Sequence, residues 1–309
     1  MREIHLSTPP RPAAEQQERW KGAKLDDSHY DVLLNEDADV YKPDGELLVQ
    51  FRKNILDPAM CARAYRVMRT VGGDVTNRGV AAVGKSGFSL RKDGTRSKTQ
   101  RVLVTKAAHP ELMGVGSGVI GYLDRMSARF PYCRQTAFNL DHPELFAECM
   151  DYIQAVDAVF RRLSPIRHAA QLAVVQRTHP DFVIHGTAFT TVTVNKNFRT
   201  FTHQDAGDLK EGFGVMSVLR GGRYTGGYTV FPEFRVAANM STGDVLLADV
   251  HEWHGNTPIV GKKDQHERVT CVFYYREKMQ FCKSAAEELE YAKNRTFGTP
   301  LIDRTQHTK

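Results

Sequence analysis

Apolar residues at Met60, Ala64, Val67 and Met68 recur at the spacing of one helix face. Asp57-Pro58 gives that helix a start, a capping carboxylate followed by proline at the first helical position, and the pattern carries it to about Val71. Leu145, Cys149, Ile153, Val156 and Phe160 mark a second amphipathic face, with Asp141 as its expected cap. A third helix is expected over 166–177, stopping before Pro180, and a closing helix over 284–294. Past residue 186 the period changes. A β-branched run at 189–194 is followed by strand-like runs at 215–219, 228–231, 245–250 and 269–275. Gly221-Gly222, Gly226-Gly227 and Thr242-Gly243 separate them as turns. Many short strands at regular spacing predict a sandwich or jelly roll. The chain therefore reads as α+β, with helices in front and an all-β core behind. Residues 1–45 are polar and carry Pro9, Pro10 and Pro12, which predicts an arm or a loosely packed strap.

Composition narrows the class. Of 309 residues, 41% are hydrophobic and 25% charged, as in an ordinary globular protein. No apolar run approaches the roughly 20 residues of a membrane span, and MREIHLSTPP has no apolar signal region. A cytoplasmic monomer that avoids membranes is expected. Cys61, Cys133, Cys149, Cys271 and Cys282 form an odd set without a CxxC pair, which predicts scattered buried thiols rather than a disulfide framework. The net charge is +6, and residues 85–106 alone hold seven basic residues against Asp93. Within that segment Arg91, Lys92, Arg96 and Lys98 are candidate phosphate contacts. A solvated basic loop is the plain alternative.

His-x-Asp with a distant histidine can hold a metal on one face and leave positions open, the facial triad of non-haem Fe(II) oxygenases. The pair occurs three times, at His29/Asp31, His179/Asp181 and His203/Asp205. The first lies in the polar N-terminal region and the second straddles a proline, so both read as accidental. The third ends a strand-like pattern over 197–202, where alternation would turn both side chains to one face. Downstream, Val250-His251-Glu252-Trp253-His254 offers two candidates for the third ligand, with His254 slightly ahead on spacing alone. Arg268 opens an apolar strand and can grip a carboxylate bidentately, with the Thr270 hydroxyl on the same face.

The stretches His203–Asp208, Tyr224–Pro232, Asp249–Pro258 and Arg268–Tyr275 go beyond generic spacing. Together they resemble the TET/JBP family of Fe(II)- and 2-oxoglutarate-dependent oxygenases of 5-methylpyrimidines in nucleic acid. Gly118–Asp124 and Pro131–Phe138 are similar to its base J and bacteriophage members. The resemblance implies a double-stranded β-helix (jelly-roll) core over 186–277 with N-terminal helical support over 55–180. The oxygenase domain would span 46–283, followed by a C-terminal helix and tail at 284–309. It implies iron on His203, Asp205 and His254, and 2-oxoglutarate on Arg268 and Thr270, with O2 as co-substrate. It places Asp208, Tyr274 and Arg276 beside the base. Arg276 departs from the histidine that animal methylcytosine oxidases carry there, and their Cys-rich zinc region is absent. The implied partner is DNA containing a 5-methylpyrimidine.

A carboxylate at Asp208 accepts hydrogen bonds, and cytosine offers an N4 donor where thymine offers the O4 acceptor. That favours oxidation of 5-methylcytosine to 5-hydroxymethylcytosine, with further oxidation left open. Thymine hydroxylation is the alternative, since the carboxylate can also accept from thymine N3–H. An Asp that merely caps a turn is the plain reading of Asp208. Further off stand an oxygenase of proteins or small molecules, and a silent nucleic-acid-binding jelly roll.

Overall fold

Side chains alternate through the long strands, and the two sets they form pack against different partners. The computed structural model describes residues 2–71, 116–125 and 130–296. In chain order the first elements are β1 (Arg2–His5), α1 (Ala13–Trp20), β2 (Val32–Leu34), β3 (Ala38–Tyr41), β4 (Leu47–Arg52) and α2 (Pro58–Val71). Then come β5 (Gly116–Leu123), β6 (Arg134–Gln135), α3 (Ala137–Asp141), α4 (Pro143–Glu148), α5 (Met150–Leu163) and α6 (Pro165–Val175). The rest comprises β7 (Thr191–Lys196), β8 (Gly214–Gly226), β9 (Thr229–Phe231), β10 (Val236–Ala238), β11 (Val245–Ala248), β12 (Gly255–Asn256), β13 (Ile259–Tyr274) and α7 (Ala285–Lys293).

Among the described residues, nine strands form one sheet in the order β1-β3-β4-β11-β8-β13-β7-β5-β6. A smaller sheet runs β12-β9-β10-β2. Val215 and Leu219 of β8, Val245 and Leu247 of β11, and Val269, Cys271 and Phe273 of β13 pack with α2 and α5 on one face of the large sheet. Their alternates Met216, Val218, Leu246 and Ala248 pack toward Phe231, Val236 and Ala238 of the small sheet. This period-two sorting makes a helix layer, a large sheet and a small sheet. It also turns Arg268 and Thr270 away from the helices, onto the side of the small sheet.

Several expectations are corrected. Residues 1–45 are not a loose arm: β1 pairs with β3, β3 with β4, and β2 with β10. Trp20 and Leu25 are buried beside Val230 and Trp253, and the Trp20 indole donates to Glu233 at 2.7 Å. The polar composition hid the few apolar residues, such as Leu34, Ala38 and Val40, that seat this segment.

The second helix does not start at Asp141, which ends α3 under a Thr136 cap. Pro143 lacks an N–H to continue a helix and instead opens α4, and α5 follows from Met150. Residues 197–202 are not strand. Asn197 adopts φ 49° and the chain leaves the sheet there. Cys133 and Cys282 are joined in a disulfide with Cα atoms 5.8 Å apart, while Cys61, Cys149 and Cys271 are buried free thiols. No helix among the described residues is long and apolar enough to cross a membrane.

Candidate metal centre

Two backbone hydrogen bonds, each 2.9 Å, run reciprocally between His203 and His254. This isolated antiparallel bridge sets the imidazoles side by side, with ring centroids 4.4 Å apart. The Asp205 N–H donates to the Val250 carbonyl at 3.0 Å, which fixes the third residue on the same frame. The N-terminal segment braces this loop: Gly22 N–H donates to the Thr202 carbonyl and Thr202 N–H to the Ala23 carbonyl. Asp205 reaches His203 Nε2 at 3.2 Å with one carboxylate oxygen and His254 Nε2 at 3.8 Å with the other.

The Nδ1 atom of His203 lies 2.9 Å from the Phe201 carbonyl, and that of His254 lies 2.9 Å from the Glu252 carbonyl. A carbonyl only accepts, so each ring holds hydrogen on Nδ1 and turns Nε2 to the cluster, the orientation a metal ligand needs. The ligand atoms of His203, Asp205 and His254 lie within 4.8 Å of one another, and no other such cluster occurs among the described residues. Two imidazoles and one carboxylate on one side suit Fe(II) with open positions. Burial opposes protonation of His203, but the Asp205 carboxylate outweighs it and holds the pKa above the ordinary value. Burial, with the charge of His203, pushes His254 down to about 4.

Arg268 is 2% exposed, and its Nη1 donates to the Thr270 hydroxyl. Its Nη2 is buried with no hydrogen-bond partner. A buried guanidinium with an idle donor fits an anionic group such as the distal carboxylate of 2-oxoglutarate. Burial, and then the charge of Arg220, hold the Arg268 pKa down, opposed by Tyr224.

The three residues expected beside the base are also brought together. Asp208 and Arg276 form an antiparallel bridge, and the Leu209 N–H donates to the Tyr275 carbonyl at 3.0 Å. Burial, and then the charge of Asp205, raise the Asp208 pKa to about 7, with Arg276 opposing. The Tyr274 hydroxyl sits 3.0 Å from that of Thr193. Arg276 Nη2 donates to Asp124 at 3.0 Å, while its Nε is buried without a partner. Asp124 is itself 2% exposed. No spacing signal marked it, because only the sheet order, with β5 and β13 on either side of β7, brings it to Arg276.

Other candidates fall outside the cluster. His251 contacts Asp249 at 3.5 Å, away from the triad atoms. His29 pairs with Asp26, Asp31 with Arg235, and Asp181 accepts from the start of α7. Arg199 donates to the Leu25 carbonyl at 2.6 Å, and Arg134 lies over the Phe130 ring at 4.2 Å. Arg91, Lys92, Arg96 and Lys98 lie outside the described residues.

A jelly-roll scaffold that brings two histidines and an aspartate together and buries an arginine with an idle donor defines the class, a non-haem metal oxygenase. Residues 118–277 match the Tet_JBP model, the oxygenase domain of the 2OGFeDO superfamily, and the chain belongs to that family. It is 38% identical over 164 residues to thymine dioxygenase JBP1 of Trypanosoma brucei brucei, covering 52% of this chain and 19% of that protein. It is 34% identical over 193 residues to thymine dioxygenase JBP1 of Leishmania braziliensis, covering 60% of this chain and 23% of that protein. The chain thus spans about a fifth of the length of these curated relatives. The structure of NgTET1 in complex with 5mC DNA shares the fold, with a TM-score of 0.56 and 13% identity over 89% of each chain.

Proposed function

We propose that this chain is an Fe(II)- and 2-oxoglutarate-dependent oxygenase that hydroxylates the 5-methyl group of thymine in DNA to 5-hydroxymethyluracil. The convergence of His203, Asp205 and His254, together with the buried Arg268 whose Nη2 is idle, carries the oxygenase reading. Bound iron with 2-oxoglutarate and O2 supplies the power to attack an unactivated methyl C–H bond, which side-chain acids, bases and nucleophiles lack. The protein's own part is to hold the ligands with their Nε2 atoms bare, anchor the co-substrate and present the base. In a duplex the base must leave the stack to be presented.

Two observations support thymine. The matched relatives bear the name thymine dioxygenase. Arg276 carries one buried idle donor, Nε, at a residue expected beside the base, and thymine carries the O4 acceptor where cytosine carries an amino donor. A buried donor left unpaired costs about 1–3 kcal/mol. Asp208 can accept from thymine N3–H in the same pose. A second reading, 5-methylcytosine, rests on Asp208 accepting from the N4 amino group.

Nucleoside mass spectrometry of duplex DNA containing both thymine and 5-methylcytosine tests this. Iron- and 2-oxoglutarate-dependent 5-hydroxymethyluracil is expected, with turnover abolished in His203→Ala and Asp205→Ala at unchanged circular dichroism. Product from 5-methylcytosine alone would overturn the base assignment but leave the oxygenase. Full turnover by both variants would overturn the iron site. Turnover of a free nucleotide or peptide in place of DNA would move the substrate class.

A further inference from the structure

We propose that the Tyr224 hydroxyl is a second anchor for the distal carboxylate of 2-oxoglutarate, beside Arg268, and that Arg220 holds it in place. This inference rests on the reading of the site as a 2-oxoglutarate oxygenase. Tyr224 is 7% exposed, and its hydroxyl is buried without a hydrogen-bond partner. A buried tyrosine hydroxyl normally finds one. It shares this condition with Nη2 of Arg268, and Arg220 links the two, opposite Arg268 in the strand pair and with its guanidinium 3.9 Å from the centre of the Tyr224 ring. Two idle donors side by side in a dry place make a socket for one acceptor of negative charge.

Charge points the same way. Arg220 of β8 lies directly across from Arg268 of β13 in the antiparallel register. Like charges at facing positions repel, and the groups these two guanidiniums donate to are neutral, the Tyr224 carbonyl for Arg220 and the Thr270 hydroxyl for Arg268. A carboxylate between Arg268 and Tyr224 relieves that repulsion.

Arg220 also shapes the socket. Its guanidinium lies 3.9 Å from the centre of the Tyr224 ring and donates to the Tyr224 carbonyl at 2.6 Å. It thus fixes both ring and backbone, and acts as a positioning residue. Three residues on, Gly227 has φ +68°, and a Cβ there would sit 2.8 Å from Cδ and 2.9 Å from Nε of Arg268. The Tyr224–Gly227 segment is therefore folded closely around the guanidinium, which carries the tyrosine with it.

The test is calorimetric titration of the Mn(II)-loaded full chain, without DNA, with 2-oxoglutarate and with 2-oxopentanoate, in which a methyl replaces the distal carboxylate. Tyr224→Phe is expected to weaken 2-oxoglutarate by about tenfold to a hundredfold, the loss of one hydrogen bond to a charged group. Its affinity for 2-oxopentanoate should match that of the unmodified chain. Arg220→Leu should weaken 2-oxoglutarate by a smaller factor, and Arg220→Lys should restore part of it. A purely structural tyrosine would lower the melting temperature in the variant. An idle hydroxyl predicts that the ligand-free Tyr224→Phe protein melts at the same temperature or higher, because an unpaired buried group has been removed. Unchanged 2-oxoglutarate affinity in Tyr224→Phe, or an equal loss for both ligands, would overturn the proposal. Absence of 2-oxoglutarate binding by the unmodified chain would instead overturn the oxygenase reading beneath it.

Discussion

Under the proposed function, the buried ion pair of Arg276 with Asp124 would set the preference between two bases. Their contact at 3.0 Å holds the guanidinium through Nη2, while its Nε remains without a partner. In the proposed pose, the carboxylate thereby fixes which edge of the arginine faces the base. Asp124→Asn keeps the shape and removes the charge, so Arg276 loses its tether but keeps its donors. Thymine turnover in DNA is expected to fall about tenfold, with the ratio of thymine to 5-methylcytosine product moving toward 5-methylcytosine. Competition assays on mixed-base duplexes read this ratio directly. A proportional loss on both bases would assign Asp124 to packing alone. At this scale the cluster of His203, Asp205 and His254 was legible only through the family resemblance, since His-x-Asp occurs three times in the chain and His251 competes with His254. Asp124 was not legible: an aspartate acquires its pairing with Arg276 only because β5 and β13 flank β7 in the sheet, which brings their ends together.

The same division holds for whole elements. Helix α2 was legible because its cap, its proline and its apolar period agree, and the Asp57 carboxylate accepts from the Met60 N–H at 2.7 Å. The helices after residue 136 were misread in their bounds, because Pro143 breaks a continuous apolar face into separate segments. Strand β13 runs from Ile259, well before the apolar run that announced it, since its first half pairs with β8 through polar residues. How α2 meets β5 is set by a glycine. A Cβ on Gly118 would strike the backbone carbonyl of Val71 at the end of the helix, and that backbone cannot rotate away. Gly118→Ala should therefore cost about 1–3 kcal/mol, the usual range for overpacking, and lower the melting temperature by several degrees. An unchanged melting temperature would mean that α2 can lift off β5 freely.

For the molecule as a whole, the N-terminal 45 residues were the least legible part. They hold few apolar residues, yet their strands complete both sheets and their loop braces Thr202 next to His203. The charge balance, by contrast, was readable without any structure. Residues 85–106 carry the entire +6, and the other 287 residues hold 35 basic against 35 acidic side chains. Under the proposed function, a chain whose charges balance elsewhere leaves that segment as its concentrated positive charge for attracting DNA. Each basic residue that meets a phosphate releases condensed counterions, and log affinity then falls with log salt by about 0.9 per contact. Replacing Arg91, Lys92, Arg96 and Lys98 together by Gln should therefore flatten the slope by about 3 to 4, weakening binding most at low salt. The change should be the same for thymine- and cytosine-rich duplexes, because phosphate contacts position DNA without reading its sequence. Fluorescence anisotropy across a salt series measures it. A slope equal to that of the unmodified chain would make the segment a solvated loop, and the search for the DNA-binding surface would pass to the arginines around Asp124.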